Sequence, residues 1–197
     1  MGPIIDHNSV DHNSALGAAL LSHARAAIAE KLHVAAPAAL EHIALDQPGA
    51  SFVTLTRHGE LRGCIGQLEV SRSLRLDVRD NALGAAFRDP RFPPLTQSEW
   101  ADIAIEVSLL GPVTFSPCSR EADCIASITA GKDGVILASG DRRATFLPQV
   151  WETLPRAADF VAQLKLKAGI REAWPANMTL GRYQVTKFAE QSLDGSV

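Results

Sequence analysis

The stretch SFVTLTRHGELRGCIGQLEV, residues 51–70, decides the fold around the middle of this 197-residue chain. Two segments rich in strand-forming residues, 51–57 and 60–70, are separated by His58-Gly59. Such a pair of segments around a two-residue turn is typical of a β-hairpin, because glycine readily adopts the positive φ that a tight turn needs. We therefore predict an antiparallel hairpin that turns at His58-Gly59.

Side chains of the second predicted strand alternate between the two faces of a sheet. One face carries Leu61, Gly63 and Ile65, and the other carries Arg62, Cys64 and Gly66. The second set brings a thiol close to a guanidinium group. A nearby cation favours the thiolate over the thiol, so this face is the first place to look for chemistry.

Helical and strand patterns follow one another irregularly on both sides of the hairpin. Helical spacing of apolar residues predicts helices over 15–32, 71–87, 119–130, 148–154 and 158–169, with Ser14 and Ser73 as caps and Gly169 after the last. Strand patterns lie at 103–110, at 134–138 and 143–147 around a turn, and at 179–189. Without a regular βαβ alternation, these elements predict an α+β fold of antiparallel sheets with packed helices.

The composition excludes several classes of protein. Hydrophobic residues make up 46 % and charged residues 21 % of the chain, as in soluble globular domains. Nineteen Lys and Arg against 22 Asp and Glu give a net charge of −3, which excludes a bulk polycation that holds nucleic acid by charge alone. No apolar run reaches the roughly 18 residues that a membrane span requires.

Cysteine usage and the chain ends bear on compartment. The chain has three cysteines, Cys64, Cys118 and Cys124, and no pattern of a secretory signal. An odd number without such a signal predicts a reducing, cytoplasmic compartment and argues against a disulfide framework. Residues 1–14 are polar and predicted to form a disordered tail, and 191–197 are predicted to form a second tail.

Segments spread along the chain resemble the signature of the AMMECR family. They are LRGCIG at 61–66, FRDPRFPPL at 87–95, IEVSLL at 105–110, GVIL at 134–137, ATFLPQVWE at 144–152, LKLKAG at 164–169 and the segment 183–188. The resemblance covers residues 15–190. Several motifs in the same order carry far more weight than one six-residue match.

The compact length resembles the prokaryotic branch called AmmeMemoRadiSam system protein A. That resemblance implies an α+β fold of two interlocked lobes within 15–190, a larger one holding both termini and a smaller one. It does not give the residue at which the lobes divide. It implies a Memo-like protein and a radical S-adenosylmethionine protein as partners, since members are typically encoded beside both. The family has no established activity, so the resemblance implies no reaction.

Cys64 is the leading catalytic candidate. Glycine in a strand often marks the close approach of a ligand or of another backbone, and Gly63 and Gly66 flank this cysteine. We interpret Cys64 as a nucleophilic or redox thiol primed by Arg62, with both glycines at a binding pocket. The alternative is a small buried hydrophobe in a strand whose glycines serve tight packing. The one nearby histidine, His58, lies at the turn, which argues against a Cys–His dyad.

Three charged residues are further candidates for this site. Glu106 lies on the polar face of the strand 103–110, where it is an acid–base group if both faces are covered and an ordinary solvated carboxylate otherwise. In the loop 87–95, Arg91 is a candidate for holding an anionic ligand beside Cys64. The alternative is that Asp89 and Arg91 form an ion pair that only stabilises a turn.

Thr145 and Gln149, in the segment 144–152, are candidate polar contacts of a pocket, or simply residues at a helix start. We predict no metal site, because five residues separate Cys118 from Cys124 and no histidine follows them. The chain has no Walker loop, GxGxxG or HExxH motif, and we therefore predict no cofactor.

Two functional hypotheses follow. The first is an enzyme, or the substrate-handling subunit of one, acting on a small molecule at Cys64. The second is an interaction module that docks one of the implied partners, with Trp151 either an anchor or a core residue. Nucleic-acid binding is a minor third reading: Arg72, Arg75 and Arg79 share a helix face, but Asp77 and Asp80 interrupt it and favour a solvated surface.

Overall fold

The computed structural model describes residues 14–190. The predicted tails at 1–14 and 191–197 therefore lie, apart from Ser14, outside the described residues. Within 14–190 the chain forms four α-helices and two four-stranded sheets. The strands over 51–57, 60–66 and 103–110 in one sheet, and over 114–117, 134–139, 142–146 and 179–183 in the other, pair antiparallel. The prediction of an α+β fold is confirmed.

The helices lie close to their predicted positions. They are α1 (Ala15–Leu32), α2 (Leu74–Phe87), α3 (Glu121–Ser127) and α4 (Ala157–Lys167), with short 3-10 helices at Ile43–Asp46, Gln97–Glu99 and Pro148–Glu152. Ser14 caps α1 by accepting the Gly17 N–H at 2.9 Å. Gly169 follows α4 with φ 74°, as expected of a residue that ends a helix.

The strands form two separate sheets. In chain order they are β1 (Ser51–Arg57), β2 (Glu60–Gly66), β3 (Ile103–Leu110), β4 (Thr114–Pro117), β5 (Gly134–Ser139), β6 (Arg142–Phe146), β7 (Thr179–Tyr183) and β8 (Val185–Ala189). The first sheet has the order β2-β1-β3-β8, and the second has the order β4-β7-β5-β6.

The chain divides into two compact units. Among the described residues, the larger unit comprises 14–110 and 186–190, and the smaller comprises 111–185. The larger unit buries one face of the first sheet against α1 and α2 in a single apolar cluster. The smaller unit has its own core, in which Trp151 stacks on Phe160 with ring centroids 3.8 Å apart.

The turn of the first hairpin is the predicted one. His58 and Gly59 have φ of 52° and 81°, the positive values that a two-residue hairpin turn of this type requires. The strands beyond the turn are irregular, since Leu55 pairs with Gly63 but Thr56 pairs with Leu61. Arg62 is thus the extra residue of a β-bulge.

The bulge corrects the predicted face of one residue. Below it, Gly63 faces α2, because a Cβ built on it would lie 2.1 Å from the carbonyl oxygen of Ala85. Between the bulge and the turn, Leu61 pairs with Thr56. Its side chain is exposed and does not share the face of Gly63. An extra residue shifts the alternation of side chains by one, and a strict two-residue period cannot show it.

The segment 179–189 was predicted as one strand and that prediction is wrong. It forms β7 and β8, which belong to different sheets and are separated at Gln184. No glycine or proline marks the break. It arises because β7 pairs with β4 and β5, while β8 lies next to β3. The short edge strand β4 was not predicted either.

The cysteines also differ from expectation. Cys118, directly after β4, and Cys124, within α3, form a disulfide, and Cys64 is free. The odd number of cysteines did not exclude this pair, because it requires only that one thiol remain. The prediction that the chain lacks disulfides is therefore corrected.

Candidate functional site

The candidate site lies on the face of the first sheet that points away from α1 and α2, which we call the outer face. Cross-strand register places Cys64 opposite Thr54, and Thr54 opposite Glu106. The three residues thus form one row across β2, β1 and β3. Strands are spaced about 4.8 Å apart, so Cys64 and Glu106 lie two strands, or about 10 Å, from each other.

Cys64 is half-buried and contacts three side chains. Its backbone N–H donates to Oδ2 of Asp89 at 2.8 Å, and its carbonyl oxygen accepts from Nη2 of Arg91 at 3.2 Å. On the outer face, the Thr54 hydroxyl donates to Sγ at 3.3 Å. Both backbone groups of Cys64 on the free edge of β2 are therefore occupied by side chains of one loop.

Asp89 and Arg91 form an ion pair that is fixed to β2. The Asp89 carboxylate is buried and accepts two bonds from the Arg91 guanidinium, at 2.9 and 2.6 Å. These bonds above all, helped by the N–H groups of Cys64 and Arg91, hold the pKa of Asp89 well below its usual range. Asp89 and Arg91 thus form the ion pair of one alternative, and they lie beside Cys64 as the other expected.

Arg91 is the cation beside Cys64. Its hydrogen bonds to Asp89 are the main cause of a raised guanidinium pKa, and the Cys64 side chain contributes a smaller rise. The Arg91 side chain remains 53 % exposed. Its charge is paired with the Asp89 carboxylate, and its exposed part still has surface available to a ligand.

Arg62 does not act on Cys64 as predicted. Its guanidinium donates from Nε and Nη2 to the two carboxylate oxygens of Glu99, at 2.8 and 3.2 Å. This pairing is the main cause of a Glu99 pKa of about 2. Arg62 is itself buried, and its Nη1 has no hydrogen-bond partner. The guanidinium thus anchors the bulge to the segment around Glu99.

The two glycines of the signature have packing roles. Gly63 allows β2 to approach the backbone of α2 at Ala85. Gly66 lies under the Phe52 ring, whose nearest carbon would be 2.3 Å from an added Cβ. A side chain at either position would collide with its neighbour. These contacts account for both glycines without a ligand, which was the alternative reading of the sequence.

Glu106 is half-buried, with 28 % of its side chain exposed. Its Oε1 lies 3.8 Å from Nζ of Lys187 on β8 and accepts a bond from the Ser108 hydroxyl at 3.4 Å. The Glu106 carboxylate is therefore not fully buried, as it would be if both faces of the sheet were covered. The outer face presents a carboxylate and an ammonium group next to each other.

Thr145 and Gln149 belong to the smaller unit. The Thr145 hydroxyl donates to the Val135 carbonyl oxygen at 2.9 Å and lies 3.0 Å from the Tyr183 hydroxyl. Burial raises the pKa of Tyr183 to about 12. Oε1 of Gln149 is buried without a hydrogen-bond partner. Both residues are thus half-buried within that unit.

Other candidates are occupied within the fold. Arg72 pairs with Asp80, Arg79 with Glu30, and Arg75 with two carboxylates, so the predicted arginine stripe is neutralised locally. Trp151 is buried and donates its indole N–H to the Asp133 carbonyl oxygen at 2.7 Å. It is a core residue and not a docking anchor.

The described residues also set limits on other site types. Residues 14–190 contain no group of three or more His, Cys, Asp or Glu side chains placed to hold a metal ion. Over the same residues, no helix combines the length and the apolar character that crossing a bilayer requires.

Sequence reasoning missed two members of the outer-face row, Thr54 and Lys187. Thr54 is one of several threonines in an alternating strand, and its importance comes from the register that sets it between Cys64 and Glu106. The sequence signal was that Thr54 lies two residues from Phe52 and therefore on the same face of β1. Lys187 lies in the second half of the segment 179–189, whose division into two strands the pattern did not show.

Comparison with known proteins gives consistent results. The AMMECR1 family model matches residues 21–188. A protein of Thermotoga maritima is 38 % identical over 140 residues, covering 70 % of this chain and 76 % of that protein. A protein of Methanothermobacter thermautotrophicus is 37 % identical over 163 residues, covering 78 % and 82 %.

A solved structure has the same fold. The crystal structure of uncharacterized protein PH0010 from Pyrococcus horikoshii is similar with a TM-score of 0.77 and 28 % sequence identity. The similarity covers 94 % of this chain and 96 % of that one. The likeness thus extends over both compact units.

Proposed function

The chain belongs to the AMMECR1 family, and from that premise we propose that it is an enzyme, or the substrate-handling subunit of one, with Cys64 as its reactive thiol. We assign it to the AmmeMemoRadiSam system protein A branch on the resemblance described above, and we propose a cytoplasmic location. The family leaves the reaction open, so the proposal depends on the geometry around Cys64.

The observation that carries the proposal is the placing of Cys64 between a cation and a hydroxyl on the outer face. Arg91, paired with Asp89, donates to the Cys64 carbonyl oxygen from the edge of β2, and Thr54 donates a hydrogen bond to Sγ from β1. Thr54 thus contacts the sulfur atom from one side, and the Asp89–Arg91 pair holds the Cys64 backbone from the other. A cysteine serving only as a core hydrophobe would need neither.

The rest of the row completes the site. A substrate bound to Sγ of Cys64 extends over Thr54 toward β3. Cys64 and Glu106 lie two strand spacings, about 10 Å, apart. The far end of the substrate then reaches Glu106 and Lys187, which supply a proton acceptor and a cation. The exposed part of Arg91 binds an anionic group at the near end. The site therefore fits a small anionic molecule with an electrophilic atom.

The decisive experiment compares metabolites in three strains: wild type, a deletion of the gene, and a Cys64→Ser replacement. We expect the replacement to reproduce the metabolite changes of the deletion. A Cys118→Ala/Cys124→Ala strain is the matched control, since it changes cysteines without touching Cys64, and it should resemble wild type. If only the deletion changes the metabolites, Cys64 chemistry is not the function.

A second proposed function is docking of a Memo-like or a radical S-adenosylmethionine protein. It is supported by Leu61, a large apolar side chain that is 43 % exposed on the edge strand β2. We expect Leu61→Asp to reduce co-purification with the partner made in the same organism. Leu166→Asp is the control, because Leu166 is at least as exposed but lies in the smaller unit. If Leu61→Asp and Leu166→Asp co-purify with the partner to the same extent, docking at β2 is ruled out.

A further inference from the structure

Thr54 and Cys64 are a close cross-strand pair for a reason that lies in the backbone. Partners in an antiparallel ladder either exchange both backbone hydrogen bonds or make none with each other, and the second kind lies closer, with Cα atoms about 4.5 Å apart. The N–H of Cys64 is committed to Asp89, on the side away from β1. Thr54 and Cys64 are therefore the close, non-hydrogen-bonded kind.

This arrangement brings the two side chains together on the outer face. The Thr54 hydroxyl donates to Sγ of Cys64 at 3.3 Å. Among residues 14–190 this is the one hydrogen bond recorded for the Thr54 side chain, so the hydroxyl has no competing acceptor. A β-branched side chain in a strand has few rotamers, which holds the hydroxyl in place.

We infer that Thr54 is a positioning residue for the thiol, which it orients and stabilises in its charged form through the hydroxyl hydrogen bond to Sγ. The inference rests on the proposed function and adds a residue to it. The loop pair Asp89 and Arg91 takes part indirectly, because it occupies the N–H and the carbonyl oxygen of Cys64 on the side away from β1. The loop and the neighbouring strand thus hold the same residue from two sides.

The test is the rate of Cys64 alkylation by iodoacetamide as a function of pH, measured by mass spectrometry on the full-length protein. Thr54→Val keeps the shape of the side chain and removes the hydroxyl, whereas Thr54→Ser keeps the hydroxyl. We expect the Val variant to move the midpoint of the profile upward by about one pH unit, since a hydrogen bond to a charged group is of that strength. At pH 7 alkylation should be about threefold slower, because the more basic thiolate is also more nucleophilic.

The Ser variant should restore most of the wild-type profile, which a merely structural role of Thr54 would not predict. Thr56→Val is the matched control: Thr56 lies on the same strand and face, but it pairs with Leu61. Its profile should equal that of wild type. Superimposed profiles for Thr54→Val and wild type would overturn the inference.

The same measurement keeps this inference separate from the proposed function. If wild-type Cys64 alkylates like an ordinary thiol and Cys64→Ser leaves metabolites unchanged, the proposed function fails. The comparison of Val with Ser at position 54 is still decisive in that case, because it depends on the difference between variants. A shift in Thr54→Val alone would then show a hydrogen bond that no reaction uses.

Discussion

Gly63 lies where β2 meets the backbone of α2, and this contact explains a glycine next to Cys64. An added Cβ would stand 2.1 Å from the Ala85 carbonyl oxygen, which belongs to a helix backbone and cannot rotate away. We expect Gly63→Ala to lower the free energy of unfolding by about 1–3 kcal/mol, the usual cost of overpacking. Urea denaturation followed by circular dichroism measures it.

Gly84→Ala is the control for this prediction, because it adds the same methyl group on the opposite side of the same interface. Its Cβ would meet the Ile65 side chain at 2.8 Å, and that side chain can move. Alanine in a helix gains about 1 kcal/mol over glycine, which offsets the displacement. Equal losses in both variants would contradict the special position of Gly63.

His23 gives the larger unit a dependence on pH. Its ring is buried, and Nε2 lies 3.0 Å from Nη1 of Arg75, which can only donate, so the ring is neutral. Burial, and then the charge of Arg75, lower its pKa below 6.5, although Glu41 opposes this. The unfolded chain therefore binds the proton more readily, and the contribution of His23 to stability is present above pH 6.5 and lost as the pH falls below it.

Unfolding free energies between pH 7.5 and 5.5 test this sign. We expect the wild type to lose stability over that range and His23→Gln to lose less, because glutamine does not titrate. His58→Gln serves as the control, since the His58 side chain is 70 % exposed, and it should keep the wild-type slope. A wild-type slope in His23→Gln would show that other groups cause the loss.

At the scale of elements, the disulfide links the end of β4 to α3 within the smaller unit. It closes a loop of six residues in sequence, for which chain entropy predicts a stabilisation of about 2 kcal/mol. Alkylation in denaturant should label one cysteine per chain without reductant and three after reduction. Reductant should also lower the urea midpoint of wild type and leave Cys118→Ala/Cys124→Ala unchanged. Three labelled cysteines without reductant would contradict the disulfide.

Local patterns predicted the elements that depend on local causes. The helix α1 follows from its apolar period and the cap at Ser14, and the first hairpin follows from His58-Gly59. The division of 179–189 into β7 and β8 could not be predicted, because the alternation continues across Gln184 and only the partner strands differ. Local order thus gave the elements, and long-range pairing placed them.

The candidate site divides along the same line. Cys64, Asp89 and Arg91 stood out as residue types in a signature, and the structure brings them into contact. The partner expected for Cys64 was Arg62. This residue lies in the bulge, and its guanidinium pairs with Glu99 instead. Thr54 was not predicted because its role depends on the cross-strand register that sets it between Cys64 and Glu106.

At the scale of the whole molecule, the smaller unit is, within residues 14–190, one continuous segment set between two parts of the larger unit. The ends of that segment lie together, since the N–H of Gly111 donates to the carbonyl oxygen of Gln184 at 2.9 Å. A short linker can therefore replace what lies between them. We predict that a chain with two glycines in place of residues 112–183 folds cooperatively, because the larger unit has its own apolar core.

The same shortened chain tests whether the larger unit alone determines how Cys64 alkylates. Thr54, Asp89 and Arg91, the side chains that contact Cys64, all lie in the larger unit. The profile of Cys64 alkylation against pH should therefore match that of the full chain, and Cys64→Ser in the shortened chain should take up no label. If the shortened chain folds but its profile moves toward that of an ordinary thiol, these three contacts are insufficient. The reactivity would then require residues 112–183 as well.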